Sequence, residues 1–244
     1  MEGIVCACGA SALELYRSSK RLIPTLLDKP RTGKVAGLMV PPRQFLEDDM
    51  TARGVTKQPY HVLVDGNHGY NPRRDIHAVA CYHPLPPRSL IKIDKGFWVT
   101  SPELTFIQIC ADENLSDFDI ICLGYELCGT YVLDDSWDGL TCIDEPLTST
   151  EKIGRLINSI HRVPGIKRAR NLIKHVHDLS NSPMETILAM LVSLPTTKGG
   201  LGLGPISLNH PVATPVGQRR VDIGFPRQRV GPVSYTHLRA HETS

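Results

Sequence analysis

Apolar side chains return at every third or fourth position in several stretches of this chain and at every second position in others, a division that separates helices from strands. Residues 11–22 carry Leu13, Leu15 and Tyr16 and stop before Pro24, which predicts a helix. Residues 28–59 scatter isolated apolar positions among Pro30, Gly33, Pro41, Pro42, Gly54 and Pro59 and support one strand, at 35–40. Short β-type runs follow at 61–64, 76–82 and 90–99, divided by Asp65-Gly66-Asn67 and Pro84-Leu85-Pro86-Pro87. Thr100-Ser101-Pro102-Glu103 then opens a helix, with Thr100 as cap and Glu103 closing a capping box. A helix over 116–128 shows Phe118, Ile121, Cys122 and Tyr125 at helical spacing, and Thr148-Ser149-Thr150-Glu151 opens another that buries Ile153, Leu156, Ile157 and Ile160. Beyond Pro164 lie a basic helix, 165–178, and an amphipathic helix headed by Ser182-Pro183-Met184-Glu185. Two β runs, 205–210 and 218–225, turn at Pro215-Val216-Gly217, and a period of two sets Asp222 opposite Val221, Ile223 and Phe225.

These elements predict an α+β fold. Residues 1–59 hold an N-terminal helix and an irregular region, 60–146 a small sheet with helices, and 147–232 a helical segment followed by the helix and hairpin. The stretch 133–146, with Asp134, Asp135, Asp138, Asp144 and Glu145, has the character of a solvated acidic linker, since its spacing does not alternate like a calcium loop. The Gly-rich run 198–204 lacks the Gly-Lys-Ser/Thr ending of a phosphate loop and predicts a flexible connection. Residues 233–243, VSYTHLRAHET, resemble one reading frame of a transposon-end sequencing adapter. They are expected to be foreign, with the natural reading frame continuing past about Gly231.

Composition narrows the partners. A hydrophobic content of 41% over 244 residues suffices for a buried core, and Lys+Arg 27 against Asp+Glu 25 leaves a formal charge of only +2. Affinity for nucleic acid must therefore come from local basic patches. The 7 cysteines are odd in number and scattered, so a disulfide framework is not expected, and Cys6-Ala7-Cys8 is spaced too closely for a zinc knuckle. No apolar run reaches membrane-spanning length and no signal peptide is present, which makes the cytoplasm the expected compartment.

Glu185 at a helix start and Asp222 on a strand are the candidate catalytic and metal-binding pair. Phosphodiester hydrolysis uses a hard divalent cation such as Mg, held by carboxylate oxygens and the scissile phosphate, to neutralise charge and acidify a water. The words SPMETILAMLVSLP, ISLNHPV and RRVDIGFPRQRV resemble the very-short-patch-repair-like endonuclease domain of the PD-(D/E)xK nuclease superfamily, and WVTSPELTFIQIC resembles the helix start that precedes it in relatives. Those relatives often carry a front half resembling abortive-infection antitoxin regulators.

The resemblance implies a truncated restriction-endonuclease-like core, Mg ligation by Glu185 and Asp222, and metal-dependent cleavage of DNA by the intact parent. The family's Glu-x-Lys element has no counterpart here, so this chain is expected to be inactive. The alternative is a noncatalytic antitoxin-type regulator that binds DNA or a toxin protein. Blander roles compete at each position. Ser182-x-x-Glu185 is also a capping box, and an ion pair with Arg219 or Arg220 would equally account for Asp222. Lys167, Arg168, Arg170, Lys174, Arg219 and Arg220 are candidate phosphate contacts, although a solvated face explains such charge as well.

Overall fold

Val5, Cys6 and Ala7 form strand β1 (Val5–Ala7), buried at all three positions because it has neighbours on both edges. It pairs in parallel with β6 (Phe97–Thr100), Val5 opposite Phe97, and antiparallel with β3 (Tyr60–Asp65), Ala7 opposite Val62. The sheet extends from β3 to parallel β4 (Ile76–Cys81), and from β6 through antiparallel β5 (Leu90–Lys92) to β2 (Arg31–Thr32). The strand order is β2-β5-β6-β1-β3-β4. The segment 1–59, expected to stand apart, thus supplies a central strand and an edge strand of the same sheet as residues 60–100. This computed structural model describes residues 3–18, 25–26, 28–67, 71–133, 139–214, 217–227 and 230–231. The adapter-like tail and Asp134, Asp135 and Asp138 lie outside the described residues.

Helix α1 (Gly9–Ser18) leaves β1 through Gly9, whose φ of +48 makes the turn. Its Ala12, Leu15 and Tyr16 are buried, and the Tyr16 hydroxyl donates to the Thr100 carbonyl at 2.6 Å. Helix α2 (Arg43–Thr51) occupies a stretch where no helix was expected, since Leu46 and Met50, both fully buried, are a weak signal beside the dense Pro and Gly. Residues 35–40 form no strand beyond a single bridge from Leu38 to Ile4.

Helix α3 (Pro102–Ile109) is buried along most of its length, touching β6, α1 and the three helices that follow it. Its N-cap is Ser101, one residue later than expected, and Thr100 instead ends β6. Helix α4 (Asp117–Cys128) opens with a capping box, Ser116 and Asp119 each accepting from the other's backbone N–H at 3.1 Å. The acidic stretch carries the arms of an antiparallel pair, β7 (Tyr131–Leu133) and β8 (Leu140–Cys142), in place of a plain linker. Helices α5 (Thr150–Ser159) and α6 (Ile166–Leu172) follow, the latter running into a 3-10 turn at Ile173–His175. Helix α7 (Pro183–Ser193) and the antiparallel hairpin β9 (Ser207–Thr214) with β10 (Gly217–Gly224) complete an α+β fold. One cluster of buried hydrophobic residues runs from Val5 to Phe225.

Gly165, the N-cap of α6, has φ +82, and a Cβ there would lie 2.3 Å from the Ile107 carbonyl oxygen and 2.7 Å from the Ala111 amide nitrogen. Both obstacles are backbone. Gly165→Ala is expected to destabilise the protein by about 2–4 kcal/mol, read as a lower urea midpoint at unchanged slope.

Candidate functional site

Glu185 sits in the first turn of α7 and is only 3% exposed. Its backbone N–H donates to Ser182 Oγ at 3.2 Å, and its Oε2 accepts the Asn181 N–H at 2.9 Å, so the side chain folds back over the helix start. Asp222 is half-buried on β10 between Val221, opposite His210, and fully buried Ile223, opposite Leu208. The β9 residue at its register position is Asn209, a non-glycine residue with φ +48.

Asn209 connects the two elements. Its Nδ2 donates to the Leu179 carbonyl at 2.6 Å, and its Oδ1 accepts from Asn181 Nδ2 at 2.8 Å. Asn181 Oδ1 in turn accepts the Thr130 hydroxyl at 2.7 Å. Helix α7 also packs on β10. An amide relay therefore runs from the residue bonded to Glu185 to the strand position facing Asp222. The two carboxylates are hard oxygen donors of the type magnesium takes, with water and substrate oxygens filling its other positions. Among the described residues, no group of three or more His, Cys, Asp or Glu side chains is placed to hold a metal ion.

The basic candidates divide. Lys167, Arg170 and Lys174 are exposed on α6 and its 3-10 extension, and Arg219 and Arg220 are exposed on β10. Arg168 turns inward. It donates to Asp117 Oδ1 at 2.9 Å and to the carbonyls of Asp112 and Leu115 at 2.8 and 2.6 Å, tying α6 to the chain that enters α4. Lys198 bonds the other Asp117 oxygen at 2.9 Å, and Lys198 and Arg168 together hold the Asp117 carboxyl below its usual range.

Sequence reasoning missed a cavity of about 570 Å³ bounded by α1, α3, α4, β7 and the start of α7. Glu126, 1% exposed on α4, receives Arg17 Nε at 2.8 Å and Arg17 Nη2 at 2.6 Å, and its Oε1 also takes the Leu133 N–H at 2.9 Å. At another side His61 stacks on His77 with ring centroids 4.5 Å apart. Burial first, and then His77, hold the His61 pKa below its ordinary value. The Gly9 N–H that begins α1 is taken by Gln108 Oε1 at 3.0 Å. Pro183, Thr186 and Ile187 of α7 line this space, whereas Glu185 and Asp222 do not. The one available signal was a charged residue, Glu126, at the end of an apolar helix, and nothing in the sequence showed that Arg17 would reach it across 109 positions.

No family model matches the chain, and no curated protein or solved structure is significantly similar to it. Among the described residues, no helix is long and apolar enough to cross a membrane.

Two outcomes follow from these side chains. Arg168→Ala is expected to cost about 1–3 kcal/mol in urea unfolding, whereas Lys167→Ala and Arg170→Ala stay within about 0.5 kcal/mol of the parent. His61 resists protonation when folded, so the unfolded chain binds more protons as pH falls through the ordinary histidine value of 6.5. Stability should therefore decline on acidification from about pH 7.5 to about pH 5.5, and the decline should be shallower in His61→Gln, measured by urea titration at each pH.

Proposed function

We propose that the protein is a DNA-directed, endonuclease-type protein in which Glu185 and Asp222 are the ligands of a divalent metal ion. The observation that carries this reading is the contact between α7 and β10, reinforced by the Asn181–Asn209 bridge. It joins the helix start bearing Glu185 to the strand pair bearing Asp222. A magnesium ion held there would neutralise charge on a phosphate and acidify an attacking water.

The chain's own groups would prepare that step. The Asn181 N–H fixes one oxygen of Glu185. Lys167, Arg170, Lys174, Arg219 and Arg220 are exposed and offer charge to backbone phosphates. No Glu-x-Lys follows Asp222 in the sequence, so metal and duplex binding test the reading more directly than turnover does.

A second reading, a noncatalytic antitoxin-type regulator that binds DNA or a toxin protein, is favoured by the 3% exposure of Glu185 and its bond to Asn181. A helix cap needs no metal. Manganese titration by calorimetry separates the two, using Glu185→Gln and Asp222→Asn, because glutamine keeps an acceptor for the Asn181 N–H while losing the charge. The endonuclease reading expects each variant to weaken manganese binding by about tenfold or more at an unchanged melting temperature, and expects duplex binding to strengthen with the metal. Manganese affinity unaltered in both variants, with duplex binding indifferent to chelator, would leave the regulator.

A further inference from the structure

The cavity between α1, α3, α4 and the start of α7 has no role in the carboxylate reading. Its volume of about 570 Å³ falls in the range of small-molecule sites, and its walls are largely hydrocarbon, including Leu13, Ile109, Leu123 and Ile187. Polar groups at its margin decide what charge it accepts. Its guanidinium, Arg17, is matched by the bidentate bond to Glu126. The first amide of α1 is occupied by Gln108, which removes the usual anion-binding donor of a helix start. Burial and the adjacent His77 hold the His61 pKa below its ordinary value, against the opposing charge of Asp112.

Asp112 and Asp119 also line the cavity, and their charges are not neutralised in the same way. Asp112 Oδ1 accepts the Asn114 N–H and side-chain amide at 2.9 and 3.0 Å, and Asp119 Oδ2 accepts the Ser116 N–H and hydroxyl at 3.1 and 2.6 Å. All four donors are uncharged. The Ser116 bonds also hold the Asp119 carboxyl below its usual range, so it stays ionised. With Asp112 half-buried and Asp119 exposed at its margin, this apolar space favours an apolar cation, with its charge at the solvent side, over an anion or a neutral ligand.

We infer that this cavity binds a small apolar amine, whose hydrocarbon body lies against Leu13, Leu123 and Ile187 and whose ammonium group faces Asp112 and Asp119. Calorimetry with n-octylammonium, n-octanol and octanoate tests it, since the three share a chain and differ in charge. Octylammonium should bind about tenfold tighter than octanol, and octanoate weakest. In the Asp112→Asn/Asp119→Asn double variant, whose amides retain the turn and cap acceptors, that preference should vanish while octanol affinity holds. Ile187→Trp, at a position 42% exposed, should fill the entrance and weaken binding of all three about tenfold.

The inference fails if none of the three binds, if octanoate equals octylammonium, if the preference survives the double variant, or if Ile187→Trp changes nothing. Should the double variant lose its melting transition, Asp112→Asn alone carries the comparison, because Asp112 lies in a turn outside any helix. These results are independent of manganese binding at Glu185 and Asp222.

Discussion

Glu126 is a carboxylate 1% exposed near the C-terminal end of α4, where unpaired helix carbonyls already make a negative charge unfavourable. Burial of a lone carboxylate costs several kcal/mol, so the fold must bring a cation and donors to it. It does so with Arg17, from the last turn of α1, and with the Leu133 N–H at the end of β7. One side chain thereby fixes three elements relative to one another, and α1 is itself anchored to the sheet through Tyr16 and Thr100. A polar crosslink at fixed length, not hydrocarbon packing, sets the gap between α1 and α4 at this point. Arg17 and Glu126 both line the cavity beside it.

Among the described residues three glutamates are buried, and the bonds they make differ. Glu103 takes the Thr148 hydroxyl at 2.7 Å with Arg31 at 3.9 Å, Glu126 takes a full guanidinium, and Glu185 takes a backbone amide. The first two resolve into cation-paired crosslinks between distant segments. Glu185 differs because its amide donor belongs to Asn181, whose side chain bonds Asn209 on the hairpin that carries Asp222. A cap explains the backbone bond, but it gives no reason for a second helix-to-hairpin tether at the same residue. The tether links the helix start that bears Glu185 to the hairpin that bears Asp222.

Helices with local start signals were legible in the sequence. Ser182 caps the helix that its Ser-x-x-Glu spacing announced, the apolar period over 116–128 located α4 without its cap, and the caps at Ser101 and Ser149 fall one residue beyond the expected Thr100 and Thr148, because adjacent hydroxyl residues offer the same chemistry. Strands β3, β4, β9 and β10 also lie close to their alternating runs. What escaped was non-local. Strand β1 has only three residues, shorter than a pattern can reveal, yet it holds the middle of the sheet. Helix α2 rests on Leu46 and Met50 in a Pro-rich setting, and the burial of these two positions has no periodic signal around it. Of the candidate site, the positions of Glu185 and Asp222 on a helix start and a strand were legible, whereas the Asn181–Asn209 tether depends on a positive φ at Asn209 that no spacing rule signals.

Charge counted along the sequence overstates the surface offered to a polyanion. Arg168 and Lys198 are both committed to Asp117, Arg17 to Glu126, and Arg73 to Asp75. Each such pair removes a cation from the field that a phosphate backbone would meet. Of the six predicted phosphate contacts, Lys167, Arg170, Lys174, Arg219 and Arg220 are exposed, on two elements, α6 with its 3-10 extension and β10. Because each phosphate contact contributes separately to the salt dependence of binding, contact through these five positions alone would give a shallower dependence than 27 basic residues acting together. In the proposed reading, a preference for DNA carried by these positions would depend on how the two elements are spaced against the duplex.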